Sequence, residues 1–252
     1  MTHTTPSHDM PMAVFPGYLA GPGEDLDALF AFTSGRDDWL LTVEDNNLVA
    51  CHESGTGIVI LDPTEDSTSP RWTVASGRGR TNGLTWHITF DAATPAEVVM
   101  AAARRLAHGT GQPTDTEREP HLWSHTSHAD TLDALYTEAA RARWSAGTRC
   151  CSSTLDAPDG TATVRIHLAA EGDGDARDRA YTLTAGARGH EATWWTAEFS
   201  RTVPTSVIMA ALRTVTDPGR YTRRASRIPM LHRASLRTHP VARRRPEPAC
   251  GR

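Results

Sequence analysis

The sequence predicts an α+β fold: two tandem copies of a small antiparallel-sheet domain with flanking helices. Three observations carry this. The stretch Trp86–Phe90 followed by Pro95–Arg104 is written again as Trp195–Phe199 followed by Pro204–Arg213, at a constant interval of 109 residues. Trp, Phe, Pro, Val, Met, Ala, Ala and Arg coincide without a gap, which marks an internal duplication. Between the helical patterns run short alternating apolar segments punctuated by Gly, Asn, Asp and Pro, the pattern of hairpin strands. After each repeated strand comes an apolar stripe at helical spacing.

The elements follow in order. Residues 1–14 are polar and expected to be disordered, and the first copy spans 15–109. It opens on Tyr18–Leu19–Ala20–Gly21–Pro22–Gly23, a Gly/Pro turn. A helix over Asp25–Thr33 should bury Leu26, Leu29 and Phe30, spaced i, i+3, i+4. Strands are expected over Trp39–Glu44, Leu48–His52, Ile58–Leu61, Trp72–Ser76 and Leu84–Phe90, with Trp86, Ile88 and Phe90 on one face. Thr94, Pro95 and Glu97 suit N-cap, N1 and N3 of the closing helix, a capping box, and Gly109 is placed to stop it. Val99, Met100, Ala103 and Leu106 form its inner stripe.

Residues 110–120 read as a linker and 121–217 as the second copy. Leu132–Tyr136 echoes Leu26–Phe30, and Trp144 answers Trp39. Strands follow near Gly147–Ser153, Thr163–Leu168, Tyr181–Thr184 and Thr193–Phe199. The closing stripe is Ile208, Met209, Leu212 and Val215, without a capping box. Each copy is about the length of a small domain.

The opening Tyr-Leu-Ala-Gly-Pro-Gly turn, the Trp-x-x-x-Phe strand and the Thr-Pro-Ala-Glu-Val helix start resemble the actinobacterial domain of unknown function numbered 317, which commonly occurs as tandem copies. The resemblance covers roughly residues 15–217 and carries no catalytic residues over. In the second copy His125–Thr126–Ser127–His128–Ala129–Asp130 stands in place of the Gly/Pro turn.

Composition bounds the function. The chain has 252 residues, 38% hydrophobic and 22% charged, with no apolar run long enough to span a membrane. No secretory leader is evident, and the cysteines (Cys51, Cys150, Cys151, Cys250) have no metal or disulfide spacing, which points to reduced thiols in a cytoplasm. Every one of the 26 basic residues is Arg, a mark of high-GC, bacterial coding. Charge is uneven: residues 218–252 carry ten Arg against the single acid Glu247, whereas 1–217 carry 16 Arg against 29 acids. That basic end, 218–252, is expected to be a disordered tail.

Several clusters could carry chemistry. His121, His125 and His128 have helical metal-ligand spacing, but three imidazoles need a rigid frame and supporting hydrogen bonds, and a polar domain entry is the reading preferred. Gly77–Arg78–Gly79–Arg80 could cradle a phosphate, yet no strand-to-helix phosphate loop surrounds it. Asp, His and Ser are plentiful, but no Gly-x-Ser-x-Gly elbow presents a nucleophile. Cys150 falls on the inward face of a strand, in register with Trp144, and reads as a buried thiol. No cofactor motif is present. Trp194 should point away from the Trp195–Phe199 core face and offer an interaction surface. Arg223–Arg224 and Arg243–Arg244–Arg245 are the densest basic clusters, open to nucleic acid or to an acidic partner.

The expectation is therefore a non-enzymatic interaction protein with a protein partner, using Trp194 and the Arg tail. The alternatives are a nucleic-acid-associated protein working through that tail, and an enzyme with a small-molecule site between the copies.

Overall fold

A computed structural model describes residues 10–64, 71–77, 84–110, 128–149, 152–167, 179–186, 194–228 and 230–241. The chain opens with strand β1 (Pro11–Phe15), a 3-10 turn at Gly17–Leu19 and helix α1 (Asp25–Thr33). Five strands follow: β2 (Trp39–Glu44), β3 (Asn47–His52), β4 (Gly57–Leu61), β5 (Trp72–Gly77) and β6 (Leu84–Phe90). Helices α2 (Ala96–Thr110) and α3 (His128–Arg141) come next. Five more strands are β7 (Ser145–Arg149), β8 (Ser152–Asp156), β9 (Ala162–His167), β10 (Arg179–Ala185) and β11 (Trp195–Ser200). The chain continues through α4 (Thr205–Thr216), β12 (Tyr221–Arg224) and β13 (Arg237–Pro240).

The α+β class is the one expected. Strands β2 to β6 form a meander in sequence order, and β7 to β11 form another in reverse order, so that one ten-stranded antiparallel sheet runs β2-β3-β4-β5-β6-β11-β10-β9-β8-β7. The seam is the repeated segment itself. Phe90 pairs with Ala197, Thr89 with Glu198 and Ile88 with Phe199. Thr89 and Glu198 are counterparts at the repeat interval, so a local pseudo-twofold axis passes between them.

Polar side chains obey the same symmetry. Asp91 Oδ2 accepts the Thr196 amide at 2.6 Å, and Ser200 Oγ, the counterpart of Asp91, accepts the His87 amide at 3.0 Å. Helices α2 and α4 pack together over the seam, and one hydrophobic cluster runs through both halves, including Trp72, Phe90, Leu106, Trp195, Phe199 and Leu212. Joining edge to edge removes two of the four sheet edges that separate copies would expose.

Local expectations fare unevenly. Asp45 and Asn46, both at positive φ (49° and 67°), close β2–β3 as a two-residue turn. Helix α1 has the expected bounds but turns Leu29 and Phe32 inward, leaving Leu26 (47%) and Phe30 (48%) exposed. The repeat agrees, since Leu135 in α3 is buried and Tyr136 exposed. The capping box does not form as expected. Thr94 donates its hydroxyl to Asp91, and the Glu97 carboxylate is taken by Arg223, a charged donor stronger than a backbone amide.

The larger correction concerns the termini. Within the stretches 1–14 and 218–252, expected to be disordered, residues 11–14, 221–224 and 237–240 lie in strands of a second sheet, in the order β12-β1-β13. Pro11 pairs with Arg224 and Met12 with both Arg223 and Pro240. The inward row buries Met12 and Val14 against Ala20 and Ile228, enough apolar surface to hold short strands in place. No described helix is long and apolar enough to cross a membrane.

Candidate functional site: a cationic three-stranded sheet

Strand alternation decides what this small sheet shows to solvent. In β12, Tyr221 and Arg223 turn inward while Thr222 and Arg224 turn out. In register on the outer face stand Pro11 beside Arg224, Ala13 between Thr222 and His239, and Phe15 beside Arg237. Residues 218–241 contain six Arg and no carboxylate. Five of the six (Arg220, Arg224, Arg227, Arg233 and Arg237) are exposed.

Arg223 is the exception, and it fastens the sheet to the body. Its side chain is only 5% exposed. The guanidinium donates to Glu97 through two bonds of 2.7 and 2.6 Å, to Gly21 O at 3.3 and 3.2 Å, and to Thr222 O at 3.0 Å. It also stands 5.6 Å from the Tyr221 ring centroid. Burial, with Glu97 nearby, pushes the Tyr221 phenol up to about 12. Every donor of Arg223 thus has an intramolecular acceptor, so this residue is structural. A second carboxylate lies deeper. Asp25 accepts from Arg71 Nε at 3.2 Å, and burial raises its pKa despite that bond.

Between the small sheet and the start of α1 lies a cavity of about 250 Å³, lined by Pro11, Pro22, Gly23, Glu24, Thr222, Arg223, Arg224 and Arg227. Among the described residues Arg224 has one loose ion-pair partner, Glu24 at 3.9 Å. The cavity therefore presents two exposed guanidiniums beside an already neutralised third, an arrangement suited to an oxyanion.

The other candidates distribute differently. Trp194 does not stand out from the sheet. It is half-buried against the main core, its amide donating to Ala185 O at 2.9 Å, because it precedes the strand proper rather than alternating within it. Arg243, Arg244 and Arg245 lie outside the described residues, as do His121, His125, Cys150, Cys151, Cys250 and residues 78–80 of the Gly/Arg loop. His128 opens α3 and bonds the Tyr181 hydroxyl at 2.5 Å, and burial lowers its pKa. Among the described residues no three His, Cys, Asp or Glu side chains are grouped so as to hold a metal. Sequence reasoning read the tail as a loose basic stretch and missed that Arg224, Arg237 and His239 share one face of a sheet. The available signal was the alternation of Met12 and Val14 in 11–15, which offers a strand for the tail to pair with.

Comparison with known proteins adds a family relation and no activity. No curated protein and no solved structure matches the chain. Residues 55–112, running from the β3–β4 turn through α2, match the family model described as SPDY, domain of unknown function (DUF317).

Proposed function

We propose that the chain binds nucleic acid through its basic C-terminal segment, with Arg224 and Arg237 on the outer face of the three-stranded sheet and Arg220, Arg227 and Arg233 in the segments that adjoin its strands in sequence, all neutralising backbone phosphates. The observation that carries this reading is five exposed guanidiniums on an acid-free stretch that is folded rather than trailing. An ordered sheet holds these charges at fixed spacing, so less side-chain and chain entropy is lost on binding than with a flexible tail. Residues 1–217, with 16 Arg against 29 acids, repel phosphate and orient the molecule with this basic segment forward. Thr222 and His239 add polar contacts, and the cavity beside Arg224 and Arg227 offers a seat for one phosphate.

The test is fluorescence anisotropy with labelled duplex and single-stranded oligonucleotides across a salt series. Five phosphate contacts predict a slope of about −4.5 in log K against log salt, a loss of roughly 500-fold between about 50 and 200 mM. A variant with all five Arg replaced by Gln that binds with the same slope refutes the proposal.

A second reading, a protein partner, is supported by Leu26 and Phe30 on α1 and Leu40 and Val43 on β2, all exposed. Sedimentation of the wild type against Leu26→Ser/Phe30→Ser would register it as lost association. The lysine-free composition supports a high-GC actinobacterial source, the cysteine spacing supports a cytoplasmic setting, and the 109-residue interval supports tandem copies of the family's domain.

A further inference from the structure

The turn joining β3 to β4 holds an arrangement with no use in the binding reading above. His52 ends β3 with its ring buried, edge-on to Trp39 at 5.6 Å between centroids. Its Nε2 lies 3.1 Å from Asp38 Oδ2, its Nδ1 lies 2.6 Å from Ser54 Oγ, and Ser54 Oγ lies 2.6 Å from Thr56 Oγ1. The tautomer follows from the network. The Ser54 backbone N–H donates to Nδ1 at 3.2 Å, so Nδ1 carries the lone pair and the proton sits on Nε2, donated to Asp38. The Ser54 hydroxyl therefore aims its own proton at an imidazole lone pair whose far nitrogen is backed by a carboxylate. Carboxylate, imidazole and hydroxyl in that order are the groups that activate a serine nucleophile, here with the two ring nitrogens exchanged relative to the serine-protease arrangement.

The repeat supplies an internal comparison. Ala157–Pro158–Asp159–Gly160–Thr161 makes the same turn: Gly160 N bonds Ala157 O at 2.9 Å as Gly55 N bonds His52 O at 2.8 Å, and the glycines share φ near 70° (68° and 70°). There Ala157 stands for His52, and Asp159 stands for Ser54 and binds back onto Thr161. That second turn is covered, with Thr161 buried and bonded to the Tyr18 hydroxyl at 2.6 Å. The first turn leaves Ser54 exposed, and Asp38 is 33% exposed. A turn of this geometry thus closes without a histidine, a serine or an aspartate partner, so the relay is not what the fold requires.

We propose that Ser54 is a nucleophile activated by His52 and positioned through Asp38, and that it accepts an acyl group from small activated esters or thioesters. Ser54 Oγ forms the new bond to the acyl carbon while its proton passes to His52 Nδ1. The carbon–oxygen or carbon–sulfur bond to the leaving group then breaks, and the same proton leaves with that group. Water attacking the acyl-serine by the reverse proton path releases the carboxylic acid and restores the hydroxyl. The turn is open to solvent, which admits unhindered donors, and deacylation is slower than acylation because the acyl-serine is an alkyl ester with a poorer leaving group than the activated donor.

The experiment is acylation of the full chain by 4-nitrophenyl acetate, followed as nitrophenolate release and by peptide mass mapping. The chain has no lysine to compete for the acetyl group. Expected are a stoichiometric burst and an acetyl group on Ser54, both abolished by Ser54→Ala. His52→Gln should slow acylation by about 100-fold or more, the usual worth of a positioned general base. Asp38→Asn should slow it as well, and Asp38→Glu should recover part of the rate, a rescue that a merely structural carboxylate would not give. Thermal unfolding of each variant reports folding. If His52→Gln is unfolded, the Asp38→Asn and Asp38→Glu pair decides. Acetyl groups spread over other hydroxyls without excess at Ser54, or Ser54 acylated equally fast without the His52 or Asp38 groups, overturns the proposal.

Discussion

Replacing Glu97 by Gln tests whether the basic C-terminal segment is held to the body by one ion pair. Glutamine keeps the shape and one acceptor oxygen, but it removes the counter-charge and one of the two bonds, of 2.7 and 2.6 Å, that Glu97 takes from Arg223. The guanidinium left behind is 5% exposed and retains the carbonyls of Gly21 and Thr222 and the one glutamine oxygen as neutral acceptors, with no counter-charge. Removing one partner of a buried pair costs about 3–5 kcal/mol. Glu97 is itself 37% exposed, however, so water screens part of the pair, and a loss of about 2 kcal/mol is the reasoned value. For a chain of this size that lowers the melting temperature by roughly 4–8 °C.

Thermal denaturation followed by circular dichroism measures the shift, and hydrogen exchange at β12 localises it to the small sheet. The double variant Glu97→Gln/Arg223→Met removes the stranded charge and should regain much of the loss, giving a double-mutant coupling of about 1–2 kcal/mol. A single variant that melts within about 1 °C of wild type, or a double variant that costs the plain sum of the singles, refutes the assignment of Arg223 as the fastener.

Other outcomes follow from the same geometry. Arg224→Gln and Arg237→Gln should each weaken nucleic-acid binding uniformly across sequences and reduce the salt slope by about 1, whereas Arg223→Met should leave the slope unchanged in molecules that stay folded. Gly17→Ala should undock the small sheet, because a Cβ there would lie 2.7 Å from Gly219 O and 2.8 Å from the Tyr221 ring; protease sensitivity across 218–228 reports it. Glu138 is 6% exposed and accepts from Arg141 and Thr216, and the bond from Arg141 lowers its pKa. Its contribution is present above the ordinary carboxylate range and is lost as pH falls through the lowered value. Glu138→Gln should therefore cost about 1–2 kcal/mol at neutral pH, with the gap to wild type closing in acid. Asp25 and Asp91 have the opposite sign. Burial raises both, so each subtracts stability as pH rises from the ordinary carboxylate range through its raised value, and Asp25→Asn or Asp91→Asn should narrow that loss in a pH series of thermal melts.

What the sequence disclosed and what it hid divide along physical lines. Trp86, Ile88, Phe90 and their counterparts Trp195, Ala197 and Phe199 were legible because a two-residue period and a fixed repeat interval are properties of neighbouring residues. That these two strands pair with each other was not, since no local pattern distinguishes a strand edge that meets its own copy from one that meets solvent. The same reason hid the small sheet: Pro11 and Arg224 are partners across nearly the whole chain, and a run of arginines with prolines looks solvated until Met12 and Val14 are seen to need cover. The candidate nucleophile was hidden differently. Ser54 and His52 are two residues apart, close enough to notice, but Asp38 reaches the ring only because β2 pairs with β3 and brings Trp39 opposite His52. Comparison of the repeats sharpens the point. Packing residues agree between copies, while the two equivalent turns diverge into a covered Asp159–Thr161 lock and an exposed His52–Ser54 relay. Two copies that share a core are free to differ at their turns, because a turn residue costs the fold little so long as the glycine keeps its positive φ. Divergence at such a place is where a second activity could arise without disturbing the sheet that carries it.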